Sequence, residues 1–228
     1  MKHTRNKYLL LFLLLVFHIY TGYSQDFYRF KADFTIKSKS PDNVQHLTIG
    51  TVYFDKNIKK IIFDVRFPQK ETWVQKDSTI YKIIDNVVVD KNKSMDIAEF
   101  TIYNMALNGK LNNYGLKNSI FKLDKVEKEG ENVILTWLPP SKYKEMMGEI
   151  KMLKNKQHVT GIVFLDNQGN IVSRQFFRKY ENVDGLDFPA EIIVEKVVNG
   201  EKFYEITTYE NIEVNDYQND GKYDIQIP

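Results

Sequence analysis

From Tyr28 onward the apolar residues of this chain return at every second position, and that period commits it to β-sheet. Phe30, Ala32, Phe34 and Ile36 alternate with Arg29, Lys31, Asp33, Thr35 and Lys37, the pattern of a strand with one buried and one wet face. Residues 46–54 and 60–67 repeat it, separated by the turn residues Pro41-Asp42-Asn43 and Asp55-Lys56-Asn57. In the third segment Ile61, Phe63, Val65 and Phe67 share a face. Pro68 ends it, because proline has no N–H to give to a central ladder. Residues 72–75 and 79–84 add two strands turned at Lys76-Asp77-Ser78. Five successive strands with short turns read as a meander.

Near Met95 the period changes. Ile97, Phe100, Tyr103 and Leu107 recur at three and four residues, with Asp96 as a candidate cap and Asn108-Gly109 as a stop, so one amphipathic helix is expected here. Strands resume at 120–127 and 133–138, Pro139-Pro140 interrupts them, and 141–147 reads as a short helical turn carrying Tyr143, Met146 and Met147. Segments 149–153 and 159–165 follow. The pair 159–165 and 171–180 is joined by Asp166-Asn167-Gln168-Gly169-Asn170, and the pair 190–198 and 202–214 by Asn199-Gly200, both hairpin chemistry. The expected fold is mainly β with short helices: a single antiparallel sheet of about eleven or twelve strands, open or partly closed as a barrel.

The first 24 residues read as an address rather than as part of that fold. Lys2, Arg5 and Lys7 precede an apolar run over residues 8–20, and Thr21-Gly22-Tyr23-Ser24 sets small residues where a signal peptidase cuts. The run is shorter than the roughly 20 apolar residues that span a bilayer. Cleavage after Ser24 removes three cations and no anion, taking the net charge from +2 to about −1. The remainder divides into one domain over 25–215 and a tail over 216–228. A near-neutral chain with no basic stripe offers nucleic acid no field.

Residue chemistry supplies little else. With no cysteine in the chain, disulfides, thiolate metal sites, cysteine nucleophiles and an acylated N-terminal cysteine are all excluded. His46 and His158 are the histidines left after cleavage, and neither has partners at a metal or triad spacing. Asp216 to Gly221 resembles half of a calcium loop, but Ile227 stands where a bidentate glutamate is required, so the segment reads as a flexible tail. Glu191 and Glu195 read as a solvated strand face. No catalytic residue, metal or cofactor is expected, and the chain reads as a non-enzyme.

The unusual feature is the number of large rings on strands: Phe30, Phe34, Phe63, Phe67, Trp73, Tyr81, Trp137, Phe164, Phe176, Phe177 and Phe203. A large antiparallel sheet must close, stack, or hold something on its concave side. An apolar groove roofed by the predicted helix and a methionine-bearing turn suits flexible apolar cargo, since methionine fills irregular shapes.

Gly50 to Phe54, then 60–68, then Trp73 to Asp85, resemble the N-terminal half of periplasmic lipoprotein carriers of the LolA type. Asp166 to Gly169, Phe176 to Tyr180, Val183-Asp184-Gly185-Leu186, Phe188-Pro189, Asn199-Gly200 and Ile212 to Asn215 resemble the related outer-membrane lipoprotein-sorting proteins. The resemblance covers most of 28–215. It implies an incomplete barrel of about eleven strands, LolA/LolB-like, lidded by helices and holding acyl chains inside. It sets Lys56 where typical carriers have a lid-latching arginine, whose planar fork lysine lacks. Strand parity then predicts a lipid-binding groove lined by Phe34, Ile36, Phe63, Val65, Trp73, Tyr81, Ile83, Leu135, Trp137, Phe164 and Phe176, with Phe100, Tyr103, Leu107, Met146 and Met147 in the lid. The resemblance implies a monomer in the periplasm that carries acylated lipoproteins or another lipid between inner-membrane donor and outer-membrane acceptor proteins. The alternative is an envelope interaction or stress-sensor module of the same fold that binds a protein and carries no lipid.

Overall fold

The computed structural model describes residues 26–93 and 101–228. All thirteen strands in them form one antiparallel sheet: β1 (Arg29–Lys39), β2 (Gln45–Asp55), β3 (Lys60–Phe67), β4 (Glu71–Lys76), β5 (Thr79–Ile84), β6 (Val87–Lys93), β7 (Lys122–Glu129), β8 (Asn132–Leu138), β9 (Ile150–Asn155), β10 (His158–Leu165), β11 (Ile171–Val183), β12 (Leu186–Val198) and β13 (Glu201–Val214). Their order is β6-β5-β4-β3-β2-β1-β13-β12-β11-β10-β9-β8-β7. Neighbours in the sheet are neighbours in sequence everywhere but at the centre, where β1 pairs with β13. The sheet is not closed into a barrel, and the expected architecture holds with one more strand than the sequence pattern counts. That strand is β6. Its turn, Asp85-Asn86, has φ of 49° and 62°, the two left-handed positions of a tight hairpin turn. Asn199-Gly200 makes the same kind of turn with φ of 53° and 81°.

This order has a topological consequence. Strands β6 and β7 are consecutive in sequence yet form the two opposite edges, so the chain between them must cross the whole sheet. The described part of that crossover holds α1 (Ile102–Leu107) and two single turns of 3₁₀ helix, Leu111–Asn113 and Leu116–Asn118. Thr101 caps α1, its hydroxyl accepting from the Asn104 N–H. Asn108 closes the other end, and Gly109 turns the chain away at φ 63°. The expected start of this helix at residues 95–100 lies outside the described residues.

The crossover buries Tyr103, Met105, Ala106, Leu107, Leu111 and Leu116 against the inner face of the sheet, where they join Phe30, Phe34, Val52, Phe54, Val65, Trp137, Met152, Ile162, Phe177 and Phe188 in one core. Gly50 belongs to that face. A Cβ there would lie 2.4 Å from the Asp64 carbonyl oxygen and 2.9 Å from the Phe34 ring, so only glycine lets Phe34 lie across β2.

The tail is the clearest departure from the sequence reading. Instead of a flexible end, 216–228 packs on the outer face of β2–β5. Tyr223, in the short helix α2 (Asp220–Tyr223), is fully buried with Tyr53, Ile62, Val74 and Ile83. Arg29 lies 4.5 Å over the Tyr223 ring and donates to Asp55, Asp220 and the Asp216 carbonyl. Lys60 reaches Asp224, and Lys222 reaches Asp64 at 3.0 Å. The half-calcium pattern at Asp216 is an Asx turn: its carboxylate accepts from the Gln218 N–H and from Asn219.

Candidate functional site

The inner face divides into a filled half and an open half. In the filled half Phe30, Tyr103, Phe188 and Tyr209 form a ring cluster, with Phe30 and Phe188 4.5 Å apart and Phe30 and Tyr103 5.2 Å apart. Tyr103 and Tyr209 share a buried hydrogen bond of 2.9 Å. Burial pushes both phenols above their ordinary range, so they stay protonated at neutral pH.

Toward the end of the sheet bearing the β1–β2 and β12–β13 turns, the rings thin out and a groove of about 280 Å³ opens under Ile102 and Tyr103. Its walls are Phe34, Ile36, Ile61, Phe63, Phe177, Ile192 and Val194, with Gln175 and Thr207 among them. The Tyr114 hydroxyl, from the crossover, donates to Gln175 at 2.6 Å. At its outer end the groove shares Val194, Lys196 and Glu205 with a mouth of about 300 Å³, lined also by Ser38, His46 and Phe203. The arrangement is a trough of apolar side chains interspersed with Gln75, Thr101, Gln175 and Thr207, with a charged rim at one end. That is a surface for holding a flexible apolar body with a polar head, and it presents no nucleophile and base in mutual reach.

The structure brings Phe34, Ile36 and Phe63 together in this groove, with the Phe34 and Phe63 rings edge to face at 5.5 Å. Trp73 stands beside Phe63 at 6.0 Å and donates its indole N–H to Glu71. Val65 and Trp137 are buried in the same inner core, with Leu135 and Phe164 packed against it.

Three expected lining residues do not join them. Tyr81 pairs across the ladder with Val74, and Ile83 packs with Tyr223, so both belong to the outer face. Trp73 pairs instead with Lys82, and the residues of β5 that share its face are the even-numbered ones. Phe176 also faces outward, its ring edge 3.7 Å from where a side chain on Gly161 would begin. It covers the gap that glycine leaves, and Phe177 occupies the inner position. Phe67 loses the parity of its strand because the β2–β3 register shifts beside Arg66, and it ends up 47% exposed.

The lid also differs. Tyr103 and Leu107 are buried in α1, and Phe100 lies outside the described residues. Met146 and Met147, at 78% and 37% exposure, stand in a loop and are not among the residues lining the groove. The 3₁₀ turns carrying Leu111, Tyr114 and Leu116 take the covering role. Lys56 pairs with Asp26 at 2.6 Å at the opposite end of the sheet from the mouth. Glu191 and Glu195 bind Lys179, Arg174 and Lys202, and among the described residues no cluster of three metal-ligating side chains occurs. Sequence parity missed Phe177, Ile192, Val194 and Tyr209. On β13, Thr207 and Tyr209 alternate with Ile206, Thr208 and Glu210, a pattern too mixed to mark the inner face.

No family model and no curated protein matches the chain. Solved structures do. A LolA superfamily protein from Nitrosomonas europaea superposes with a TM-score of 0.55 at 14% identity, over 89% of this chain and 92% of that one. A DUF1329 family protein from Desulfovibrio piger gives 0.58 at 13% identity, over 88% and 91%. An outer membrane lipoprotein-sorting protein domain from Vibrio parahaemolyticus gives 0.54 at 10% identity, over 85% and 88%. The chain therefore has a LolA-like fold. Identities this low carry the architecture across and leave ligand and partners to be argued from the groove.

Proposed function

We propose that this protein is a lipid-binding carrier of the bacterial envelope, exported through its N-terminal signal, that holds acyl chains of lipoproteins or another lipid in the inner-face groove and performs no chemistry on them. The observation that carries this reading is the trough of Phe34, Ile36, Phe63, Phe177, Ile192 and Val194, open at one end beside Lys196. Burial of each methylene of a chain stabilises by about 0.8 kcal/mol, so about eight methylenes inside the groove contribute on the order of 6 kcal/mol. The rest of the chain lies at the mouth or displaces the crossover. Such partial shielding suits a carrier, which must also release.

A second reading has its own support. The Phe30–Tyr103–Phe188–Tyr209 cluster fills half of the concavity, as expected of a module that binds a protein and no lipid. Native mass spectrometry of the protein purified from its own cells separates the two. A carrier yields bound mass that collision releases as acyl-containing species; only apo-protein mass overturns the carrier reading and favours the module.

A further inference from the structure

A cavity of about 570 Å³ lies away from the groove, at the end of the sheet where Lys56 and Asp26 meet. Phe27, Leu107, Leu111, Val159 and Leu186 supply its apolar lining, and polar groups supply the rest. Its wall carries an imidazole held from three directions. The His158 ring stacks on Tyr180 with centroids 4.1 Å apart and planes 9° apart. The Tyr180 hydroxyl is fixed by donation to the Val159 carbonyl at 2.8 Å. His158 Nε2 meets Asp187 Oδ2 at 3.0 Å, while Asn182 donates to Oδ1 of the same carboxylate at 2.6 Å.

Those contacts define what the wall offers. Hydrogen bonds from Asn182 and His158 hold the Asp187 carboxyl below its ordinary range, so it is ionised and only accepts. Because that carboxylate only accepts, Nε2 is the donor of the shared bond. A carboxylate accepts at about four lone-pair positions, and two of those on Asp187 are filled. The cavity's cation, Lys56, is engaged by Asp26. The wall thus offers the accepting positions that Asp187 has left, beside the apolar side chains of the cavity.

We propose that this cavity is a second binding site, specific for a small primary amine: the ammonium donates to Asp187, and an apolar body rests on Leu107, Leu111 and Leu186. An anionic head is repelled there and a hydroxyl supplies one donor where the ammonium supplies three. The site is independent of the groove, and the inference holds whether or not the groove carries lipid.

Benzylamine, benzyl alcohol and benzoate share one body and differ in the head, so titrating each into the full secreted protein, followed by amide NMR shifts at Val159, Gly185 and Leu186, tests the assignment. Benzylamine is expected to bind at least tenfold tighter than benzoate, with benzyl alcohol between, and raising salt should weaken the amine alone. Asp187→Asn should erase the preference, whereas His158→Gln, which leaves the carboxylate in place, should retain the order of amine, alcohol and benzoate. Equal binding of the three probes, tightest binding of benzoate, or shifts confined to Ile36 and Val194 would overturn the proposal.

Discussion

The hydroxyls of Tyr103 and Tyr209 face each other at 2.9 Å in a fully buried setting, and this one bond joins the crossover to the central strand β13. Each phenol has the other as partner, so removing one hydroxyl leaves its mate buried and unsatisfied. Tyr103→Phe or Tyr209→Phe should each cost about 1–3 kcal/mol. The double variant, which removes both polar atoms and keeps both rings, should lie closer to wild type than the two single losses added together. Urea unfolding of the four proteins checks this; strictly additive losses would show that the bond does not couple the helix to the sheet.

The C-terminal tail is part of the folded core. Tyr223 is fully buried against Tyr53, Ile62, Val74 and Ile83, and Arg29 stacks on its ring. Truncating a large buried ring to alanine typically costs about 3–5 kcal/mol, and Tyr223→Ala is expected to fall there. Ending the chain at residue 215 should cost at least as much and should raise binding of a hydrophobic dye, because four apolar side chains of the outer face become exposed. Thermal denaturation with dye fluorescence measures both; an unchanged melting temperature would refute a structural role for the tail.

These two features mark where sequence reasoning reached and where it stopped. The alternation Phe30-Ala32-Phe34-Ile36 was legible because a half-buried strand must alternate, and the Asn199-Gly200 turn because both residues sit at positive φ. Strand β6 was not, since Asp85-Asn86 reaches the same left-handed geometry without glycine. Which face a residue occupies is a relation between strands. A hairpin or a bulge resets parity, so counting by twos turns Tyr81, Ile83 and Phe176 inward where the ladder turns them outward. Docking of Tyr223 depends on an outer pocket made by β2–β5, which no local pattern in 216–228 reveals. The groove's existence was legible from the excess of rings; how much of it the crossover fills was not.

A network on the outer face predicts the acid behaviour of the fold. Burial alone would raise the Asp33 carboxyl, but hydrogen bonds from Thr51, Asn211 and Arg66 outweigh that effect and hold it below its ordinary value. These partners tie β13, β1, β2 and β3 together. The Asp187 carboxyl is lowered as well, by Asn182 and His158. A carboxyl that is more acidic folded than unfolded takes up its proton in the unfolded chain first. Its stabilisation is therefore complete above the ordinary value of about 3.9 and lost as pH falls through the lower folded value. Urea midpoints should be level near neutrality and drop below about pH 4. Asp33→Asn should lower the midpoint at pH 7 and shrink the further drop in acid, whereas an acid arm of undiminished size would assign the effect to other groups.

Because adjacent sheet positions face opposite ways, the carrier reading can be tested with a matched pair of substitutions. Ile36 lines the groove, while Tyr81 sits on the outer face under the Lys91 ammonium, and both are half-buried. Ile36→Glu sets a carboxylate among Phe34, Phe63 and Val194, where an acyl chain would have to desolvate it at a cost of several kcal/mol. Tyr81→Glu places the same charge where no chain passes. If the groove holds lipid, Ile36→Glu should retain at least tenfold less acyl mass than wild type in native mass spectrometry, and Tyr81→Glu should retain the wild-type amount, with both proteins secreted and folded by circular dichroism. Equal loss in both would point to general destabilisation, and full retention by Ile36→Glu would move the lipid out of the groove altogether.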